Sequence, residues 1–328
     1  MASCTSLFLS AAVILSNCCS TASTATTATT TVAGQQQQHE QLIGVSWDLS
    51  APDQLGVVSV NVSTGEHTML KKLGAEALLI VEAAYDAAHR VFYMLTGAGT
   101  TLSPLQIASG TYLPIVTLDV SGCGGGSPCF QELVFNPATR SIVAAGVGYG
   151  KAQTSVAVVS ISVKDGSVIP IGYIPGTCAL TMDASALDVA AQIYYLTADC
   201  GANEHDSTIF AFNIAKPAQR LPFVLNGTAY YDTNPLFVGD GSLYALNGSE
   251  HVVRVHDNAT APVGGPANVG GIPSNHGVAV NAAGSVAWMS VAYFTTNRLV
   301  SVDLSTGAVA SQPFPFAVEH LVYDIAPT

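Results

Sequence analysis

Ala84-Tyr85-Asp86-Ala87-Ala88-His89-Arg90-Val91-Phe92-Tyr93-Met94 is two short apolar runs joined by a turn. The first run ends on an aspartate, and a turn follows it. The second run reads as a strand. The unit returns as Val134-Phe135-Asn136 with Ile142-Val143-Ala144, and as Ala186-Leu187-Asp188 with Ile193-Tyr194-Tyr195-Leu196. It continues as Phe237-Val238-Gly239 with Leu243-Tyr244-Ala245, then Ala279-Val280-Asn281 with Val286-Ala287-Trp288-Met289, and Val322-Tyr323-Asp324 starts a last copy just before the C-terminus. From Asp86 to Asp324 five intervals cover 238 residues, about 48 per unit, a length suited to a four-stranded blade.

A second motif interleaves with the first: an alternating strand, a polar residue near its end, then a turn. Its copies begin at Val57, Ile115, Val158, Ile209, Val252 and Leu299, with Val57–Gly65, Ile115–Gly122 and Leu299–Gly307 each expected to be one strand and its turn. Near the N-terminus Leu42–Trp47, Gly56–Val62 and His67–Leu73 supply three strands that lack an inner partner, which Val322–Asp324 can provide. The expected fold is therefore all-β: a single closed β-propeller of about six four-stranded blades over residues 41–328, its ring closed by N- and C-terminal strands sharing a blade. A two-sheet sandwich would not call for evenly spaced copies of one unit.

The turns Ser63-Thr64-Gly65 and Asp303-Leu304-Ser305-Thr306-Gly307 resemble those of YVTN and quinoprotein-like propeller repeats, and the blade count is similar to that of the gluconolactonase, paraoxonase and strictosidine-synthase group. The resemblance is one of repeat style, and it implies fold more than activity.

Composition bounds the compartment and the partners. Twenty-two acidic against ten basic residues give a formal charge of −12, which repels nucleic acid and anionic lipid. Residues 1–22 read as a signal peptide, with apolar Leu7–Leu15 followed by small residues at Ser20-Thr21-Ala22. Residues 23–40 are a Thr/Ala/Gln-rich flexible leader without apolar periodicity. No later run is long and apolar enough to span a bilayer. N-x-S/T sequons at Asn61, Asn226, Asn247 and Asn258 fit a secreted glycoprotein, with Asn61 the weakest because it falls inside an expected strand. Beyond the signal stand Cys123, Cys129, Cys178 and Cys200. Three pairings are possible; spacing favours Cys123–Cys129 across the glycine-rich loop and Cys178–Cys200 across one hairpin. No metal-ligand spacing accompanies them.

In a propeller the residues just before each innermost strand gather at one mouth of the central channel. These positions read Glu82, Glu132, Asp183, Asn234, His276 and the pair Glu319-His320. Oxygen-rich groups with a histidine suit calcium. The resemblance to gluconolactonase-like enzymes puts Glu82, Asp183 and Asn234 at stations where that family holds a metal that polarises an ester or lactone carbonyl. A polar mouth is also simply wet, whatever the protein does. Other candidates carry less: Glu204-His205-Asp206 reads as a charged loop tip, Ser274 and His276 have no nucleophile-elbow motif, and Trp47 and Trp288 read as core. The expected function is a secreted glycoprotein propeller that binds a protein or small-molecule ligand on one face. The alternative is a calcium-dependent ester or lactone hydrolase using Glu82, Glu132, Asp183, Asn234 and His276.

Overall fold

The computed structural model describes residues 39–47, 55–73, 80, 82–123, 128–148, 156–174, 178–200, 207–216, 220–225, 235–247, 249–256, 259–263, 268–293 and 296–326. The expected signal segment and all but the end of the leader lie outside these. The first strand opens at His39, two residues inside the expected leader.

Six antiparallel sheets form a ring. Chain order gives β1 (His39–Trp47), β2 (Gly56–Asn61) and β3 (His67–Lys72), then a second sheet of β4 (Glu82–Asp86), β5 (Val91–Thr96), β6 (Thr101–Gln106), β7 (Thr111–Tyr112) and β8 (Val116–Thr117). The third blade is β9 (Phe130–Asn136), β10 (Ser141–Val147), β11 (Val156–Ser162) and β12 (Val168–Ile174). The fourth is β13 (Ala179–Asp188), β14 (Ile193–Asp199), β15 (Ser207–Asn213) and β16 (Arg220–Leu225). The fifth is β17 (Leu236–Gly239), β18 (Ser242–Leu246), β19 (Val252–His256) and β20 (Ala259–Pro262). The sixth is β21 (Ile272–Val280), β22 (Val286–Tyr293), β23 (Thr296–Asp303) and β24 (Val309–Phe314). The last strand, β25 (Ala317–Ala326), returns to the first sheet and pairs with β1, Leu42 opposite Tyr323 and Ile43 opposite Val322.

The core is divided among the joints between blades. Among the described residues six apolar clusters form, each drawing on two adjacent sheets: Ala84, Tyr93 and Leu95 meet Phe130, Phe135 and Ile142, for instance, and Leu42, Val58 and Val60 meet Trp288, Leu299 and Phe316. A blade is therefore covered on both faces. Strands such as β2 and β4 are buried nearly throughout rather than at alternate residues, which is why the chain is so apolar. Equivalent aromatic stacks cross two of the joints, Tyr93 on Phe135 at 5.8 Å and Trp288 on Tyr323 at 5.6 Å between ring centroids.

The polar residues of both motifs work as turn caps. Asn61 Oδ1 accepts from the N–H groups of Ser63 and Thr64, Asp303 Oδ1 from those of Ser305 and Thr306, and Asn213 Oδ1 from those of Ala215 and Lys216. The motif glycines Gly65, Gly166 and Gly307 all have φ near +72°, from 72° to 73°, and each donates its N–H to the carbonyl four residues back. A side chain there would be strained. Asp86, Asn136, Asp188 and Asn281 cap the turns between first and second strands in the same way. Asp324 occupies the matching place in the last copy, where no turn follows. Its buried carboxylate accepts instead from Tyr85 Oη at 2.7 Å, Arg90 Nη2 at 2.8 Å and Nε at 3.2 Å, and Gln41 Nε2 at 2.8 Å. The group thus ties the two chain ends to the second blade.

One expected strand is corrected. Of Ile115–Gly122 only Val116–Thr117 (β8) is strand, paired with one end of β6; β7 pairs with the other end of β6, and Leu113-Pro114-Ile115 bulges between β7 and β8. Pro104 and Pro114 have no N–H to donate, so the outer ladder breaks there.

Candidate functional site

Innermost strands β4, β9, β13, β17, β21 and β25 surround an axial cavity of about 290 Å³. Its lining comes from the same short stretch of every copy, such as Ala83–Tyr85, Leu133–Phe135 and His320–Tyr323, and is mainly alkyl and aromatic. Among the described lining residues, His320 and Ser185 stand at the end where the innermost strands begin.

Four of the expected ligand residues lie within these strands rather than ahead of them. Glu82 is the first residue of β4, Glu132 the third of β9, Asp183 the fifth of β13 and His276 the fifth of β21. They also occupy two register positions. Counted back from the turn residue of its copy, Glu82, Glu132 and His320 stand four before, whereas Asp183, Asn234, His276 and Glu319 stand five before.

Two of the residues four before the turn, Glu132 and His320, sit at bulges, whereas Glu82 pairs regularly with Leu95. In β9, Glu132 and Leu133 lie opposite Ala144 alone, and in β25, His320 and Leu321 lie opposite Gly44 alone. Glu132 and His320 both take left-handed backbone, φ 57° and 51°, the conformation of an inserted residue. A Cβ on Gly44 would meet Val318 Cγ1 at 2.4 Å and the Glu319 carbonyl oxygen at 2.8 Å. Glycine therefore lets β1 pass the bulge. β13 and β21 are irregular at the same level, between Leu180 and Ser185 and between Pro273 and Val278.

Glu82 and Glu132 are not solvated entrance groups: they are 6% and 1% exposed. The bulge leaves the Glu132 carbonyl oxygen available to the fourth blade, where Tyr194 Oη donates to it at 2.7 Å and Ser185 Oγ at 3.4 Å. Burial pushes the Tyr194 phenol well above its ordinary range, and the charges of Glu132 and then Glu82 add to the effect. Two buried carboxylates thus act on one phenol. Such an arrangement can hold a proton or a cation. The side chains of Asp183 and His276, and the whole of Asn234, lie outside the described residues. Among the described residues no three His, Cys, Asp or Glu side chains gather as a metal site.

Tyr194 and Ser185 were not legible as site residues. Both sit in apolar strand sequence, and it is the neighbouring blade that brings them the Glu132 carbonyl.

Both expected disulfides form, Cys123–Cys129 and Cys178–Cys200. Cys129 immediately precedes β9, Cys178 precedes β13 and Cys200 follows β14, so they brace the same end of the ring as Glu82 and Glu132. Asn61 closes β2 at an exposed turn, and Asn247 Oδ1 caps a turn by accepting from the N–H groups of Ser249 and His251. Asn226 and Asn258 lie outside the described residues. Among the described residues no helix is long and apolar enough to cross a membrane. Trp288 is core, as expected, while the Trp47 side chain lies outside the description.

No family profile and no curated protein matches the sequence. Solved structures do share the fold. A chain of the nidogen–laminin complex aligns with TM-score 0.60 at 12% identity, covering 87% of this chain and 98% of that one. TolB from Acinetobacter baumannii aligns with TM-score 0.58 at 11% identity over 88% and 67%. A putative 6-phosphogluconolactonase from Bacteroides fragilis aligns with TM-score 0.50 at 13% identity over 89% and 99%. At these identities the likeness is one of fold: the chain is a six-bladed β-propeller.

Proposed function

We propose that this propeller is a secreted, N-glycosylated binding module that takes a protein or small-molecule ligand on the face where its innermost strands begin. The observation that carries the reading is the grouping of both disulfides with the buried Glu82, Glu132 and Tyr194 at that end. Disulfides suit an oxidising compartment, and a braced face loses little freedom on binding. The opposite face is made of short capped turns. A chain of the nidogen–laminin complex shares the fold, a precedent for protein binding by this architecture. The test is capture of a ligand from the extracellular fluid of the source on immobilised protein. Thr100→Arg, in the turn between β5 and β6 on the proposed face, is expected to weaken capture at least tenfold. Ala138→Arg, in a turn of the opposite face, should leave it unchanged. Equal effects would refute the assignment of the face. For the glycans, enzymatic deglycosylation should remove a mass of two to four chains, Asn61, Asn226, Asn247 and Asn258 being the acceptors.

A second reading rests on the pair of buried carboxylates. Glu82, Glu132, Asp183, Asn234 and His276 would hold a calcium ion able to polarise an ester or lactone carbonyl. Calcium takes six to eight oxygens, so the two described carboxylates would be part of the set, Asp183 and Asn234 would add side-chain oxygens, water would complete it, and His276 would offer a ring nitrogen beside it. A chelator is expected to lower the Tm, and Glu132→Gln to abolish both that response and ester hydrolysis. An unchanged Tm in chelator removes this reading and leaves the binding module standing.

A further inference from the structure

On the outer part of the second blade, β5, β6 and the bulge Leu113-Pro114-Ile115 border a cavity of about 540 Å³. That is the size of a small-molecule pocket. Leu73, Met94, Leu113 and Ile115 give it apolar walls, and Leu113 and Ile115 remain 38% and 64% exposed. Such residues clustered at a rim mark a surface that something covers.

One side of the cavity is polar without being charged. Thr96 Oγ1 lies 3.0 Å from Thr101 Oγ1 and 2.9 Å from Ser103 Oγ. Three hydroxyls carry three protons and these two contacts use two of them, so one O–H is left to donate, with lone pairs to spare. No Asp, Glu, Lys, Arg or His is among the described residues of the lining. An ionised ligand would lose its hydration there with no opposite charge among the described lining to replace it. The ammonium of Lys71 stands over the ring of Tyr112 at the rim, 5.2 Å from its centroid, where it holds a cation–π contact outside the cavity.

We infer that this cavity binds a neutral, mainly apolar small molecule that offers one carbonyl or hydroxyl oxygen to the Thr96, Thr101 and Ser103 hydroxyls. The lining includes Gly97 and Thr101 beside the β5–β6 turn, on the side of the proposed binding face. Small-molecule binding here does not require that face to bind a protein, and a small-molecule probe reads the cavity separately from ligand capture.

The probe is N-phenyl-1-naphthylamine, an uncharged fluorophore that brightens in apolar surroundings. It should bind the full chain saturably at one site, and 2-nonanone should displace it at a concentration at least about tenfold lower than nonanoate does. Thr101→Val removes one hydroxyl and should weaken 2-nonanone about tenfold, the loss of one hydrogen bond to a ligand. Leu113→Glu puts a charge in the wall and should abolish probe binding. Both variants keep the native Tm if they fold, since both sites are partly exposed. Absence of saturable binding, stronger displacement by nonanoate, or native affinity in both variants would each overturn the inference.

Discussion

Gly44 and Gly166 show how closely this fold depends on single backbone positions. Gly44 passes under the β25 bulge, and Gly166 has φ 73° with its missing Cβ 1.9 Å from the Thr117 carbonyl oxygen. Gly44→Ala meets a side-chain methyl that can turn aside and a carbonyl that cannot, and should cost about 1–3 kcal/mol, in the range of an overpacked core. Gly166→Ala meets backbone of the neighbouring blade and adds left-handed strain, so it should cost more. Urea unfolding of the two variants checks the order; a Gly44→Ala protein as stable as the native one would contradict the geometry. The glycine of the turn motif is recognisable in the sequence, because its need arises within five residues. Gly44 is not, because what crowds it lies at Val318 and Glu319.

Among the elements, β25 is bound in two ways. It pairs with β1 along its length, and Asp324 fastens its far end to Tyr85 and Arg90 of the second blade. The carboxylate is 2% exposed and the guanidinium 19%. Removing one partner leaves the other buried and uncompensated, at about 3–5 kcal/mol. Asp324→Ala and Arg90→Ala are each expected to destabilise by that order, and the double variant by clearly less than the sum. Additive losses in the unfolding series would mean that the two groups do not act as a pair. The aspartate is legible as the end of a truncated repeat, but its partners are more than 230 residues away. The candidate site has the same character. Glu82 and Glu132 stand out in the sequence as acidic residues at the start of a repeat, yet both are buried in the fold, and Glu132 sits at a bulge whose carbonyl meets Tyr194, 62 residues away.

Across the whole molecule, burial raises the phenols of Tyr85, Tyr93, Tyr194, Tyr244 and Tyr323, helped by Asp324, Asp86, Glu132, Asp240 and Glu40 respectively. Tyr244 is pushed up to about 12. Below about pH 10 both folded and unfolded chains keep these protons, so they make no difference. Above it the unfolded chain releases protons that the folded one retains, and stability falls as pH rises further. Unfolding in alkali should therefore set in above about pH 10, and a share of the 12 tyrosines should gain tyrosinate absorbance only with the loss of native circular dichroism. Full tyrosinate absorbance in a still-folded chain would contradict the burial of these groups. The repeat, its length, the turn caps, the disulfide partners and the strand lent by the C-terminus were all written in the sequence, because each is a local pattern or a count of local patterns. The burial of the carboxylates, the split outer strand of the second blade and the convergence on the Glu132 carbonyl were decided by tertiary structure. An inserted residue shifts which side chains meet, and only the packing of one blade against the next determines where it is inserted.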